Sequence, residues 1–212
     1  MTKDFIKAVL AGIFIAIGGT VYLSLYSVSK IAGATAFTIG LFMICVFKLN
    51  LFTGKVGYLA RCKKEEVPKY LLFLLSTFIG NIIGTALSAT LLKLTRLKIA
   101  EAASAITEIK LGDGTASIFI LAIFCGMLMF TAVECFARIN DSFGKYLALL
   151  FCVSVFILCG FEHCIANMFY YALAGKLFSL EGLSSIVVIA LGNTFGALCF
   201  SLPLFRVFEK QQ

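Results

Sequence analysis

Gly160-Phe161-Glu162-His163-Cys164-Ile165-Ala166-Asn167-Met168 sits inside an apolar run that extends from about residue 144 to 175. A glutamate, the only histidine and an asparagine within one short apolar segment are costly at membrane depth, so each is a functional candidate. A glycine beside polar groups predicts a helix broken within the bilayer, which is tolerated only where it is buried in protein or lines a cavity. Such a break aims backbone N–H groups and the positive end of a helix dipole at the cavity's contents, which favours an anion. Alone, His163 would read as a buried side chain satisfied by a neighbouring helix. Its company with Glu162 and Asn167 points to a site.

A second polar cluster, Lys48-Leu49-Asn50-Leu51-Phe52-Thr53-Gly54-Lys55, interrupts an earlier apolar stretch. The two clusters hold matching places before a repeated pentapeptide. Gly80-Asn81-Ile82-Ile83-Gly84 recurs 112 residues later as Gly192-Asn193-Thr194-Phe195-Gly196; Thr53 lies 27 residues before Gly80 and Asn167 lies 25 before Gly192. GIFIAIGG at 12–19 loosely resembles SIFILAIFCG at 117–126 at a similar offset. Spans are expected at 6–29, 34–60, 68–93, 115–137, 144–175 and 184–208. Three spans per half give halves of opposite topology, as in inverted-repeat transport proteins. The expected fold is an all-α membrane protein of six transmembrane helices, a single domain over 1–212 whose repeats cover about 6–93 and 115–208. The plainer alternative is chance recurrence of Gly and Asn, both common where membrane helices pack.

Composition excludes a soluble domain. Hydrophobic residues make up 61% of the chain and charged ones 14%, with a mean hydropathy of +1.03, too little polar surface to cover a core of this size. The net charge of +7 would suggest a nucleic-acid partner in a soluble protein, but here the positive-inside rule explains it and no nucleic acid is expected. The loop with Arg61, Lys63, Lys64 and Lys69 is assigned to the cytoplasm, with both termini (Lys3, Lys7, Arg206, Lys210) and the loop carrying Arg138 and Lys145. Lys30, Lys93, Arg96, Lys98, Lys110 and Lys176 then lie on the other side of the cell membrane. The first apolar run exceeds signal-peptide length, so no cleavable signal is expected. The eight cysteines form no CxxC pair and His163 has no histidine partner, so neither a metal nor another cofactor is expected.

With these residues in view, the sequence resembles the formate/nitrite transporter family. GFEHCIANMF (160–169) resembles that family's G-F-E-H-x-x-A-N-M-F signature in a broken fifth helix, and LFTG (51–54) resembles the loop interrupting its second. GNIIG and LGNTFG match its third and sixth helices. The resemblance implies an aquaporin-like bundle, a homopentamer and one pore per subunit. It further implies that Thr53 and His163 face each other at the pore centre. Phe37 and Phe156 would form one constriction, and Leu41, Leu51 and Phe52 the other. Lys110 would draw anions towards the histidine, while Asn50, Glu162, Asn167 and Asn193 would hold the broken helices.

The sequence departs from the family at two places. Lys48, Leu49 and Asn50 stand where the family has G-A-E, and Cys125-Gly126-Met127-Leu128-Met129 replaces C-N-x-L-V, losing an asparagine near the pore. Lys48 and Lys55 make the site more cationic, leaving the identity of the anion open. The expected partners are the lipid bilayer, a small monovalent anion such as formate, nitrite or hydrosulfide, and protons. A bare anion pays several kcal/mol to lose its water, whereas its neutral conjugate acid crosses more cheaply. A neutral-solute channel is disfavoured by the lack of tandem Asn-Pro-Ala motifs. A membrane-embedded enzyme using Glu162 and His163 as an acid–base pair is disfavoured by the lack of a GxSxG, HExxH or paired-aspartate motif.

Overall fold

Apolar segments in lipid become helices because every backbone N–H and C=O must find its partner within the segment. The computed structural model describes residues 2–208. Among these, α1 (Thr2–Leu25), α4 (Val67–Lys93), α6 (Thr115–Arg138) and α9 (Leu180–Phe208) are each long and apolar enough to cross a bilayer unbroken. Pro68 falls in the first turn of α4, where its missing N–H costs no helical bond. Lys210, assigned above to the cytoplasm, lies outside the described residues.

The other two expected crossings are each in pieces. α2 (Lys30–Val46) ends at Phe47, and the chain resumes as α3 (Phe52–Lys55) followed by a 3-10 turn, Val56–Arg61. α7 (Ser142–Leu158) ends at Cys159, and α8 (Cys164–Leu173) resumes after Gly160 to His163. The Ser29 and Asp141 side chains accept the Ala32 and Gly144 N–H groups at the starts of α2 and α7, satisfying orphan donors there. The pattern around Ile99 to Ile109 forms a helix of its own, α5 (Ala100–Leu111), which packs on α8.

The packing follows a repeated plan. α1 packs on α2 and α4, and α6 packs on α7 and α9 in the same order. The halves are laced together where α2 meets α7, where α8 meets α4, and where the 3-10 turn meets α9. At equivalent crossings Gly12 touches the backbone of Asn81 and Gly126 that of Asn193; a Cβ at either glycine would overlap the facing carbonyl oxygen. Gly126, noted above only as a lost asparagine, is thus a close-approach position with no room for a side chain. Outside, Leu71, Leu75, Ile79, Ile83, Leu87 and Leu91 form an exposed row along α4 at four-residue spacing, an apolar face suited to lipid or a neighbouring subunit.

Candidate functional site

A helix broken in an apolar setting strands N–H and C=O groups, and two asparagines bracket the breaks. Asn81 Oδ1 accepts the N–H of Phe52 at 2.9 Å, while its Nδ2 donates to the Ala8 and Asn50 carbonyls at 2.7 and 3.0 Å. Asn193 does the same in the other half: Oδ1 accepts the N–H of Cys164 at 3.0 Å and Nδ2 donates to the Ala122 and Glu162 carbonyls at 2.8 and 2.7 Å. Both side chains are fully buried. Each asparagine thus satisfies an N–H and a carbonyl at its break, which would otherwise cost roughly 1–3 kcal/mol apiece, and ties them to a carbonyl of the neighbouring helix. The repeated GN dipeptide carried this signal, but sequence reasoning took only Asn193 into the site and missed Asn81.

The brackets bring the tips of α3 and α8 together. Thr53 Oγ1 lies 3.0 Å from His163 Nε2, both side chains buried. His163 caps α8: its Nδ1 accepts the Ala166 N–H at 3.0 Å. An accepting Nδ1 carries no proton, so the ring in this arrangement is neutral with its proton on Nε2, which donates to Thr53 Oγ1. The threonine's own proton is left to point elsewhere. The Phe156 ring stacks on the imidazole with centroids 5.5 Å apart and meets Phe37 edge-on at 5.8 Å.

Lys110, at the end of α5, does not approach the histidine alone. Its ammonium pairs with Glu162 at 2.8 Å, and the same carboxylate oxygen accepts from Asn167 Nδ2. Glu162 thus faces Lys110 and Asn167 rather than the imidazole. Asn50 Nδ2 donates to the Asp4 carbonyl at 3.1 Å, tying the first break to the start of α1. The Phe52 ring meets Phe78 of α4 edge-on at 5.0 Å.

Two cavities flank this centre. One, of about 590 Å³, is lined by Tyr22, Lys30, Lys110, Asp113, Ile157 and Glu162 among others, at the α5 end. The second, of about 460 Å³, is lined by Ile44, Lys48, Leu49, Leu51, Lys55 and Tyr58 among others, at the α3 end. Phe37, Leu41, Phe52, Thr53, Phe156 and His163 line neither, and Phe37, Leu41, Leu51 and Phe156 are buried.

A further buried acid went unnoticed in the sequence. Glu134, near the end of α6, accepts from Tyr58 Oη at 2.6 Å, from Arg138 Nε at 2.6 Å and from Arg61 at 3.2 Å. Arg61 also stacks over the Phe205 ring at 3.8 Å, which joins the 3-10 turn to α6 and α9. Its signal was an acid inside an apolar span four residues before an arginine.

The formate/nitrite transporter family model matches residues 1–206. The chain belongs to that family, one of channels and transporters rather than enzymes. It is 28% identical over 182 residues to "Formate channel FocB" of Escherichia coli (strain K12), covering 78% of this chain and 64% of that one. It is 24% identical over 214 residues to "Nitrite transporter NirC" of Salmonella typhimurium, covering 92% and 79%. Among solved structures, "Pentameric formate channel with formate bound" superposes with a TM-score of 0.85 at 24% identity, covering 100% of this chain and 98% of that one. "FNT family ion channel" gives 0.88 at 21% identity, with 97% and 89% covered. The all-helical channel fold is therefore shared.

Proposed function

We propose that this family member is a transmembrane passage for small monovalent anions of weak acids, of the formate or nitrite type. The observation that carries the reading is the Thr53–His163 pair, buried at the meeting of two broken helices with a cavity on either side. An anion entering either cavity meets an apolar stretch built from Phe37, Phe156, Leu41 and Leu51, where stripping its water costs several kcal/mol. The conjugate acid carries no charge and avoids that cost. Thr53 and His163 supply the polar contacts where the two breaks meet, the imidazole through Nε2–H and the threonine through its hydroxyl. The Ala166 N–H holds the ring neutral, so an imidazolium requires that bond to open; the crossing proton travels with the solute, taken up in a cavity or at the rearranged histidine.

Lys110, Glu162 and Asn167 form one polar support beside the histidine, and Asn50 and Asn193 hold the break ends. The chain works as one unit of two related halves, about 6–93 and 115–208, in the cell membrane with both termini cytoplasmic and the α3 end facing inward. The exposed row on α4 and the pentameric structural relative favour a homopentamer, which native mass spectrometry in detergent would count.

Formate, nitrite and hydrosulfide uptake into proteoliposomes tests the reading. Wild-type protein is expected to carry at least one of the three faster than empty liposomes, and faster as outside pH falls, because the neutral acid becomes more abundant. Uptake of water or glycerol without any of these anions would replace it with a neutral-solute channel.

A further inference from the structure

The two cavities differ in charge. The α5-end cavity holds Lys30 and Lys110 but also Asp113 and Glu162, so its formal charges cancel. The α3-end cavity is lined by Lys48 and Lys55 with no carboxylate in its wall. Among the described residues neither lysine pairs with a carboxylate; the acid that bears on Lys55, Asp4, is accompanied by Lys7. Glu134, bound by Tyr58 beside this cavity, is already met by two arginines.

The backbone supplies a second, independent observation. Lys48 has a φ of +51°, alone among the described non-glycine residues in the left-handed region. The matching position in the other half, 112 residues on, is Gly160 at φ +69°. A side chain there costs on the order of 1 kcal/mol relative to glycine. A lysine held at that cost beside a cavity points to use of its charge.

We propose that Lys48 and Lys55 make the α3-end cavity a loading site for anions, and that multivalent oxyanions bind there and block passage from that end only. This rests on the anion-passage reading above. A monovalent anion concentrated there sheds its charge as the neutral acid and moves on past Leu51. A divalent oxyanion is attracted more strongly by the same two ammonium groups, but its desolvation penalty grows with the square of its charge. It therefore enters, stays and competes. The α5-end cavity, with its cancelled charges, lacks this effect.

The test uses right-side-out and inside-out membrane vesicles from cells expressing the full chain, which present opposite ends to the medium. Uptake of formate, nitrite and hydrosulfide is followed with inorganic phosphate added outside. Phosphate is expected to inhibit one vesicle type at a concentration about fivefold lower than the other, with the gap closing at high salt. Lys48→Gly with Lys55→Gln should abolish the gap, whereas Lys48→Arg with Lys55→Arg should keep it. Lys48→Gly suits the local backbone, and the wild-type comparison needs no variant. Equal inhibition from both sides, or a gap that survives removal of both lysines, would overturn the proposal while leaving the passage itself standing. Vesicles that take up none of the three anions would remove the underlying reading as well.

Discussion

The two breaks share one backbone solution and differ in what they hold. At the first, Lys48, Asn50 and Leu51 precede α3, and Leu51 offers no side-chain cap. At the second, Gly160, Glu162 and His163 precede α8, and the histidine itself caps the helix. The bracket, a buried asparagine binding one N–H and two carbonyls, is the same in both. The fold thus repeats the scaffold and places a histidine at one break only. Positions serving the scaffold should behave alike when changed in either half, and positions serving the chemistry should not.

The largest expected effect falls on the brackets. Asn81→Leu and Asn193→Leu each strand the buried N–H and carbonyl of a break, a loss of about 2 kcal/mol or more. Both variants should fail to give a monodisperse peak in detergent gel filtration. A stable Asn81 variant beside an unstable Asn193 variant would break the equivalence. Next come Gly12→Ala and Gly126→Ala, which force two helices apart at matching crossings and should each cost about 1–3 kcal/mol, read as a fall in Tm.

The chemistry should separate the halves. His163→Ala removes the polar contact and the cap of α8, so formate flux should fall by about tenfold, the equivalent of one lost hydrogen bond. Leu51→Ala at the matching position should not lower flux. The smallest effect is Lys48→Gly, which relieves a left-handed lysine and should raise stability by about 0.5–1 kcal/mol; a loss would mean that the lysine makes contacts that outweigh its backbone.

Much of this was legible in the sequence, for physical reasons. Polar side chains inside apolar runs report broken helices because lipid offers them nothing, so 48–55 and 160–168 marked the breaks directly. Long-range pairing was not legible. Lys110 and Glu162 stand 52 residues apart in sequence, and nothing local shows that the two side chains meet. Glu134 was passed over because a glutamate four residues before an arginine at a helix end reads as an ordinary exposed pair. Its burial appears only once Tyr58 and Arg61 fold over it. Gly126 looked like a lost polar residue because a single sequence does not show what backbone lies opposite.

Thr53 and His163 are expected to act as one unit at the meeting of the breaks. A double-mutant cycle on formate flux, with Thr53→Val, His163→Ala and both together in protein of normal gel-filtration profile, addresses it most directly. Either single change is expected to lose nearly as much flux as the pair. Additive losses, or undiminished flux in all three variants, would contradict it.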